Sequence, residues 1–266
     1  MPNWVDYHVH TDNSRDCRTS MADMCAAALG RGVSEIAFTD HFNNHLLDVD
    51  AGLYQADRYF EQIENCRRSY PMLTIRAGVE VGEPHRWSRR VLPVLAAYPY
   101  DVVLGSLHWC GNDSMFNPNY FRARSPELAY STYFEELARM IEVGGFDILA
   151  HVDLPKRIGY DVYGRFDIAD YEKAVRSVWA ACIQHGITPE INTKGLRCPV
   201  RQLHPAGESL RWYVEMGGKL LTFGSDAHHP DHIADQFASA RQMALAAGLT
   251  QICQFERRGV VNQIDL

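Results

Sequence analysis

Two histidines lie two positions apart near the start of the chain, in the stretch "DYHVHTDNSRD" that runs from Asp6 to Asp16. In an extended chain, residues i and i+2 point to the same face, so the imidazoles of His8 and His10 are predicted to project side by side. Two neighbouring imidazoles are suited to binding one metal ion. An isolated pair of this kind is equally compatible with a hydrogen-bonded polar face, and the rest of the chain decides between the two interpretations.

Residues of the same chemical type recur at or just beyond the predicted ends of further strands. Together with the first pair, they make a set of nine: His8, His10, Asp16, His41, Glu80, His108, His151, Asp226 and His228. In a parallel barrel, the carboxyl ends of the strands and the loops that follow them surround one mouth. These nine side chains are therefore predicted to face a single cavity and to form a functional site.

The donor types in this set indicate which metals it suits. Imidazole and carboxylate without thiolate favour zinc, iron or manganese, whereas a mainly carboxylate cage would favour calcium or magnesium. Nine ligands are too many for one ion, so we expect three divalent transition-metal ions (Zn, Mn or Fe) with roughly three to four protein ligands each. A carboxylate such as Glu80 can bridge two ions about 3.5–4 Å apart, as in two-metal hydrolytic sites.

The elements that must position these residues follow a repeating pattern. Short apolar runs alternate with longer segments of helical period, which is typical of βα units around a parallel sheet. The seven predicted strands are 4–10, 35–41, 74–81, 101–109, 147–153, 187–193 and 220–228. The predicted helices are 20–31, 55–70, 86–97, 126–143, 168–185, 206–217 and 231–247. Residues 110–124 are predicted to form a long loop over one end of the fold, and residues 1–266 are expected to form a single domain.

The composition limits the classes of protein to which the 266-residue chain can belong. Its hydrophobic content of 46% supports a sizeable core. No apolar run approaches about eighteen residues and no basic-then-apolar leader opens the chain, so we expect a cytoplasmic protein without a membrane partner. Lys and Arg total 26 against 33 for Asp and Glu, and this net charge of −7 argues against a nucleic-acid partner. The seven scattered cysteines lack a CxxC pair, which is typical of reduced, buried thiols.

Eight short motifs follow one another along the chain. They are "HVH" (8–10), Asp16, "TDH" (39–41), "GVE" (78–80), "SLH" (106–108), "AHVD" (150–153), "NTKGLR" (192–197) and "GSDAH" (224–228). In this order they resemble the motifs of the polymerase and histidinol phosphatase (PHP) family over essentially the whole chain. The length and the "NTKGLR" segment are most similar to its histidinol-phosphate phosphatase branch. The resemblance implies an α/β fold, a distorted, TIM-like (β/α)7 barrel with the metal site at its C-terminal mouth.

The resemblance also implies how the ligands are shared and what reaction they serve. One ion would be bound by His8, His10, Glu80 and Asp226, a second by Glu80, His108 and His151, and a third by Asp16, His41 and His228. The resemblance implies that the position of Asp16 can also be His, so Asp is a permitted variant. The implied reaction is hydrolysis of a small phosphate monoester, L-histidinol phosphate, to L-histidinol and phosphate in histidine biosynthesis, by attack of a metal-bridging hydroxide.

Two arginines are implied by the same resemblance to contact the substrate phosphate. Arg157 and Arg197 carry planar guanidinium groups that suit bidentate binding of phosphate. Ordinary surface or strand-end arginines are the alternative interpretation of both. With Glu80 and Asp226 they make up the predicted catalytic set. Lys194 stands in the "NTKGLR" motif where the family resemblance predicts a small residue, and this departure leaves the substrate open.

Three alternative functions stay open. A PHP-type phosphoesterase could act on a nucleotide, a phosphodiester or phosphotyrosine. An amidohydrolase-like deaminase also begins with an HxH pattern, but it usually bridges its metals through a carboxylated lysine, whereas the bridging position here is Glu80. A metal-binding module without catalysis is disfavoured by the complete ligand set.

The remaining polar and aromatic residues near the motifs have less specific interpretations. The six other histidines (positions 45, 85, 185, 204, 229 and 232) are predicted to be surface residues. Asp40 and Asp153 are candidates either to orient an imidazole or to cap a helix. Glu190 shares a strand face with Asn192 and is predicted to point into the barrel. The aromatic residues Trp109, Phe116, Tyr120 and Phe121 are predicted to line a substrate pocket or to form the core of a lid.

Overall fold

Seven parallel strands form the centre of the fold in the computed structural model, which describes residues 3–266. Counting the strands outside this central group, residues 3–266 form twelve strands: β1 (Trp4–Val9), β2 (Val33–Phe38), β3 (His41–Phe42), β4 (Thr74–Gly82), β5 (Val102–Ser106), β6 (Trp109–Cys110), β7 (Asp113–Ser114), β8 (Ile148–Leu149), β9 (Thr188–Asn192), β10 (Thr222–Gly224), β11 (Gln251–Glu256) and β12 (Gly259–Asp265). The seven strands of the barrel have the order β1-β2-β4-β5-β8-β9-β10, and the short β3 pairs with β4 as an eighth strand of the same sheet. Each of the seven overlaps one of the seven predicted strands. Residues 1 and 2 of the predicted domain lie outside the described residues.

The sheet closes between its first and last strands. Val9 forms a parallel bridge with Ala227 just beyond β10, and the backbone N–H of His10 donates to the Ala227 carbonyl oxygen at 2.9 Å. A parallel sheet that closes in this way brings the carboxyl ends of its strands to one mouth. The predicted α/β fold, a distorted, TIM-like barrel of seven βα units, is therefore confirmed.

Helices surround the sheet, and local signals in the sequence predict the start of one and the ends of two, whereas the helix Lys156–Tyr163 was not predicted. They are α1 (Met21–Gly30), α2 (Ala56–Ser69), α3 (Pro84–Ala97), α4 (Pro118–Arg122), α5 (Pro126–Val143), α6 (Lys156–Tyr163), α7 (Glu172–His185), α8 (Gly207–Glu215) and α9 (Phe237–Ala247). Ser125 caps α5, because its side chain accepts the backbone N–H of Leu128 at 3.3 Å. Gly144 and Gly186 end α5 and α7 with φ of 71° and 68°, conformations that glycine adopts without strain.

Two predicted segments differ from the structure. The helix predicted over 231–247 begins only at Phe237, because a 3₁₀ turn (Pro230–His232) and the left-handed Gln236 (φ 61°) interrupt the chain before it. The predicted loop over 110–124 contains part of the β6–β7 hairpin and helix α4. The turn before Phe237 thus shortens the predicted helix, and residues 110–124 form short regular elements although their sequence shows no helical or strand period.

The antiparallel β11–β12 hairpin, which the sequence did not predict, packs at the end of the barrel opposite the mouth. The backbone N–H of Cys253 donates to the Leu221 carbonyl oxygen at 2.8 Å, just before β10. The backbone N–H of Arg258 donates to the Asp101 carbonyl oxygen at 2.9 Å, just before β5. The amino ends of the strands are therefore covered, whereas the carboxyl ends are left for the site.

Burial follows the pattern of a parallel sheet with both faces covered. Every residue of β5 and of β9 is buried, as expected for central parallel strands. All seven cysteines are free thiols, and only Cys198 is not fully buried, which agrees with the prediction from their spacing.

None of the helices within residues 3–266 combines the length and the apolar character that a membrane crossing requires.

Candidate metal centre

The nine predicted donor residues lie together at the mouth of the barrel. Three trios have ligand atoms within 4.8 Å of one another: His10, His41 and His228; His8, Glu80 and His151; and His8, His10 and Asp226. The other two donors contact these trios. Asp16 Oδ2 lies 3.0 Å from His228 Nε2, and His108 Nε2 lies 3.4 Å from Glu80 Oε1. The structure thus brings together all nine side chains, and which of them bind a metal ion stays a prediction.

Glu80 lies at the centre of this cluster. Its Oε1 atom lies 3.0 Å from His151 Nε2 and 3.5 Å from His8 Nε2. Its Oε2 atom lies 2.7 Å from His41 Nδ1 and 3.6 Å from His10 Nε2. Each oxygen therefore faces imidazoles from different segments of the chain, which is the placement that a bridging carboxylate requires.

The backbone presents four of the donors in specific ways. β3 pairs in parallel with β4 so that His41 and Glu80 are direct neighbours in the sheet. His151 and Asp226 have φ of 22° and 52°, which non-glycine residues rarely adopt. Such conformations cost about 1–3 kcal/mol each and persist only where the surrounding structure fixes them, typically at functional sites.

Residues behind the cluster fix the orientation of two imidazoles. His8 Nδ1 lies 2.8 Å from Glu190 Oε1 on β9, and His10 Nδ1 lies 3.3 Å from Ser14 Oγ. Ser14 in turn donates to Asp40 Oδ1 at 2.7 Å. Fixing one ring nitrogen turns the other toward the cavity. Glu190 thus points into the barrel as predicted, whereas Asp40 acts on an imidazole only through Ser14.

Five buried ligand atoms in the cluster form no hydrogen bond of acceptable geometry within residues 3–266; they are His8 Nε2, His10 Nε2, His41 Nδ1, Glu80 Oε2 and His228 Nε2. Three of them still face an oppositely charged group, because His41 Nδ1 lies 2.7 Å from Glu80 Oε2 and His228 Nε2 lies 3.0 Å from Asp16 Oδ2, so the two without a close partner are His8 Nε2 and His10 Nε2. Each buried polar atom without a partner costs about 1–3 kcal/mol, so a group of them is expected only where another species binds them. Imidazole nitrogens and a carboxylate oxygen suit divalent transition-metal ions. The residues present therefore fit a metal centre.

The charges around the cluster keep its carboxylates ionised. Burial by itself would raise the pKa of Glu80, but the charge of His8 and its neighbours outweighs burial and holds the pKa well below its usual range. The pKa of Asp226 is lowered in the same way, with Lys194 as the largest opposing charge. Burial holds the pKa of His10 well below its usual range. Burial opposes protonation of His8 and His41, but the nearby carboxylates outweigh burial and hold the pKa values of both imidazoles well above the usual range. Ionised carboxylate and neutral imidazole are the forms that bind metals, so a metal ion that binds here would displace the protons of His8 and His41.

A cavity of about 460 Å³ opens over the cluster. Two cationic side chains line it, the buried Arg157 and the partly exposed Lys194. Arg157 Nη2 donates to Asp226 Oδ2 at 3.1 Å, and Lys194 Nζ donates to Asp226 Oδ1 at 2.8 Å. Trp109 and Phe116 also line the cavity. The cavity thus combines metal-type donors with cations that can bind an anion.

Arg197, the second predicted phosphate contact, points elsewhere. Its Nη2 donates to the Ser225 carbonyl oxygen at 2.6 Å, and its Nη1 lies 3.3 Å from Asp235 Oδ2. It is absent from the residues that line the cavity in the described part of the chain. Its contact with phosphate stays a prediction, and Lys194, which the sequence marked only as a departure from the family, faces the cavity instead.

The prediction that the six other histidines are surface residues is wrong for His45 and His204, which are both buried. His45 stacks on Trp109 with ring centroids 4.2 Å apart. His204 contacts Asp153 and Arg157. Neither histidine belongs to a periodic segment, so no local signal indicates their burial. Asp153 thus orients a histidine, although not one of the predicted ligands.

Comparison with known proteins defines the class to which this fold and site belong. The family described as "PHP domain" matches residues 6–194, which is more than half of the chain. The chain therefore belongs to the PHP domain family. Asp226 and His228 lie beyond the matched residues.

Individual proteins are similar to the chain over nearly its whole length. The chain is 29% identical over 248 residues to a protein of Deinococcus radiodurans named "Probable histidinol-phosphatase", covering 90% of this chain and 92% of that protein. It is 25% identical over 256 residues to a protein of the same name from Clostridium acetobutylicum, covering 95% and 97%. Histidinol phosphate phosphatase from Lactococcus lactis, solved with zinc, L-histidinol and phosphate, has the same fold, with a TM-score of 0.90 and 21% identity over 98% of this chain and 99% of that chain.

Proposed function

We propose that the protein is a metal-dependent phosphatase that hydrolyses a small phosphate monoester, L-histidinol phosphate, to L-histidinol and phosphate. The observation that carries this proposal is that six of the nine donor residues line the same cavity as the cations Arg157 and Lys194; the six are Asp16, His41, Glu80, His108, His151 and Asp226. The donors suit divalent ions and the cations suit a phosphate dianion. The similarity to proteins named histidinol-phosphatase supports this choice of ester.

The proposed cofactors are three divalent ions of zinc, manganese or iron. The proposed ligands are His8, His10, Glu80 and Asp226 for the first, Glu80, His108 and His151 for the second, and Asp16, His41 and His228 for the third. When bound, such ions supply Lewis-acid activation of water and of the phosphoryl group. The protein holds the donors in a buried cluster and orients them through Glu190 and Ser14. Because these ligands span most of the chain, we also propose that residues 1–266 form a single domain.

The proposed phosphate contacts are Arg157 and Lys194. Arg157 Nη2 donates to Asp226 and Asn192, whereas Nη1 has no protein hydrogen bond within residues 3–266 and is left for a phosphate oxygen. The ammonium of Lys194 lies at the same wall of the cavity. Arg197 remains a further candidate, and its guanidinium would first have to leave the Ser225 carbonyl oxygen.

The rim of the cavity supports an amino alcohol as the leaving group. Trp109 and Phe116 offer aromatic surface against which an imidazole ring can stack. Asp48 and Asp50 place carboxylates on the same rim, where they favour an ammonium group. These carboxylates disfavour an ester with additional phosphate groups, such as a nucleoside triphosphate.

A substrate panel tests this proposal. Protein loaded with Mn²⁺ or Zn²⁺ is incubated with L-histidinol phosphate, a nucleoside monophosphate, phosphotyrosine and p-nitrophenyl phosphate, and phosphate release is measured. We expect kcat/KM for L-histidinol phosphate to exceed that for the other esters by at least about 100-fold. A flat profile would remove L-histidinol phosphate as the specific substrate and keep the phosphatase activity. No release from any ester would remove both.

A further inference from the structure

A chain of buried polar groups lies directly behind Arg157. Arg157 Nε donates to His204 Nε2 at 2.9 Å, and His204 Nδ1 lies 2.6 Å from Asp153 Oδ1. Asp153 Oδ2 accepts hydrogen bonds from Lys156 Nζ at 2.8 Å and from the Ala206 backbone N–H at 2.9 Å. The side chains of His204, Asp153 and Lys156 are fully buried and do not line the cavity. This network therefore reaches the site through Arg157.

The directions of these hydrogen bonds fix the protonation of His204. The Nε atom of a guanidinium carries its proton, so His204 Nε2 must be the acceptor. The proton of the ring is then on Nδ1, where Asp153 accepts it. Burial, together with the charges of Lys156 and Arg157, holds the pKa of His204 well below its usual range, which agrees with a neutral ring. His204 thus presents one fixed acceptor to Arg157.

The backbone around His204 holds the ring in place. The His204 N–H donates to the Asn192 carbonyl oxygen at 2.9 Å, and the Asn192 N–H donates to the His204 carbonyl oxygen at 2.7 Å. Gly195 passes so close to the ring that a Cβ there would lie 2.8 Å from His204 Nε2 and would overlap the Gln202 carbonyl oxygen. Glycine in the "NTKGLR" motif therefore leaves the room that His204 needs to reach Arg157.

We infer that His204 is a positioning residue that aims the Arg157 guanidinium into the cavity, an inference that rests on the proposed function, in which Arg157 binds the substrate phosphate. Nε is engaged by His204 and Nη2 by Asn192 and Asp226. Only Nη1 is then left for a ligand. Fixing a flexible side chain before the substrate arrives reduces the ordering cost that binding would otherwise include.

Two substitutions separate the contact with Arg157 from the contact with Asp153. His204→Asn keeps an amide near the former Nδ1 and loses the acceptor for Arg157. His204→Gln extends an amide oxygen toward the former Nε2 and keeps that acceptor. We expect inorganic phosphate, titrated calorimetrically into metal-loaded protein, to bind His204→Asn about tenfold more weakly and His204→Gln within about threefold of wild type. Equal losses in both variants would overturn the inference.

Arg157→Met supplies the background in which the effect of His204 must disappear. If His204 acts through Arg157, adding His204→Asn to Arg157→Met weakens phosphate binding by less than about twofold further. Additive losses would overturn the inference while leaving the proposed function intact, because they would show that His204 has a general structural role. A wild-type protein that neither binds phosphate nor hydrolyses the ester would instead overturn the proposed function.

A measurement on the wild-type protein does not depend on whether any variant folds. Two-bond ¹H–¹⁵N correlation spectra of histidine report which ring nitrogen carries the proton. We expect His204 to show the neutral form protonated on Nδ1 at neutral pH. A ring protonated on Nε2 would overturn the inference, because that nitrogen could no longer accept a hydrogen bond from Arg157.

Discussion

Lys194 Nζ lies 2.8 Å from Asp226 Oδ1, the same oxygen that lies 3.6 Å from His10 Nε2 and 3.5 Å from His228 Nδ1. The Lys194 ammonium therefore contacts the same oxygen of Asp226 that faces the imidazoles of His10 and His228, two of the proposed metal ligands. The family resemblance predicts a small residue at this position, so the ammonium of Lys194 departs from that expectation. In the proposed metal centre, this ammonium would compete with a divalent ion for Asp226, and once displaced it would be available to an anionic ligand.

Lys194→Met removes this ammonium and keeps a side chain of similar length. We expect the variant to bind Zn²⁺ or Mn²⁺ about 3–10-fold more tightly, because Asp226 loses a competing cation, and to raise KM for the phosphate ester about tenfold. Calorimetry measures the first effect and phosphate release the second. Lys219→Met, which changes an exposed lysine, should alter neither quantity. An unchanged KM would exclude Lys194 as a phosphate contact.

Glu80→Gln tests the bridging carboxylate. The substitution removes the negative charge that faces five imidazoles at the centre of the cluster, so we expect bound metal to fall and kcat/KM to drop by more than about 100-fold. Metal analysis after dialysis and phosphate release measure the two losses. Glu136→Gln is the matched control, because Glu136 also contacts a histidine but lies outside the cavity. A Glu80→Gln protein with wild-type metal content would contradict the bridging role.

Glu136 on α5 forms a separate carboxylate cluster. Its Oε1 atom lies 2.9 Å from His85 Nε2 and accepts from Arg86 Nη2 at 2.6 Å. Burial by itself would raise the pKa of Glu136, but these partners outweigh burial and hold the pKa below its ordinary value of 4.5. A carboxyl group whose pKa is lowered by folding stabilises the protein above its unfolded-state pKa, and this contribution is lost as the pH falls through the folded-state pKa.

Glu136→Gln is therefore expected to lower the free energy of unfolding by about 1–3 kcal/mol at neutral pH. The difference from wild type should shrink as the pH falls from about 4.5, where the carboxyl group of the unfolded chain takes up a proton, toward the lower folded-state pKa. Urea unfolding across this pH range measures the difference. The exposed neighbour Glu135, changed to Gln, should alter stability by less than about 0.5 kcal/mol. A difference that grows toward acidic pH would contradict these ion contacts.

Gly224 on β10 lies where a side chain does not fit. A Cβ there would lie 2.5 Å from His8 Cβ and would overlap Glu190 Oε1. Gly224→Ala should displace Glu190 from His8, reduce metal affinity and lower the free energy of unfolding by about 1–3 kcal/mol. Gly30→Ala, at the end of α1 with no atom within 4 Å of the added Cβ, should be neutral or stabilising by up to about 1 kcal/mol. Wild-type metal affinity in Gly224→Ala would show that Glu190 does not orient His8.

The barrel fold and the position of the nine donor residues at one mouth could be predicted, because short patterns in the sequence indicate the strands and the residues at their ends. An apolar run that ends in a histidine or a carboxylate, as before His8 and Glu80, is visible in any short window of the sequence. A parallel barrel then brings the strand ends to one mouth by a rule of topology that does not depend on packing detail. The period and the topology predict that the donors meet, whereas the seven-unit barrel and the assignment of ligands to ions came from the resemblance to the PHP family.

Features that depend on distant contacts could not be predicted in this way. The burial of His204 depends on Asp153 and Arg157, which lie in another segment of the chain. The direction of Arg197 depends on the Ser225 carbonyl oxygen, and no local pattern marks that contact. The β11–β12 hairpin is fixed by backbone bonds to the amino ends of other strands. Tertiary contacts of this kind override local propensity.

Metal stoichiometry tests the central claim most directly. Protein stripped with a chelator is refilled with Zn²⁺ or Mn²⁺, freed of unbound ions and analysed by inductively coupled plasma mass spectrometry, alongside Glu80→Gln. We predict three ions per wild-type chain and fewer in the variant. A wild-type chain that retains no metal, or equal metal content in both proteins, would contradict the claim that these nine donors form one metal centre.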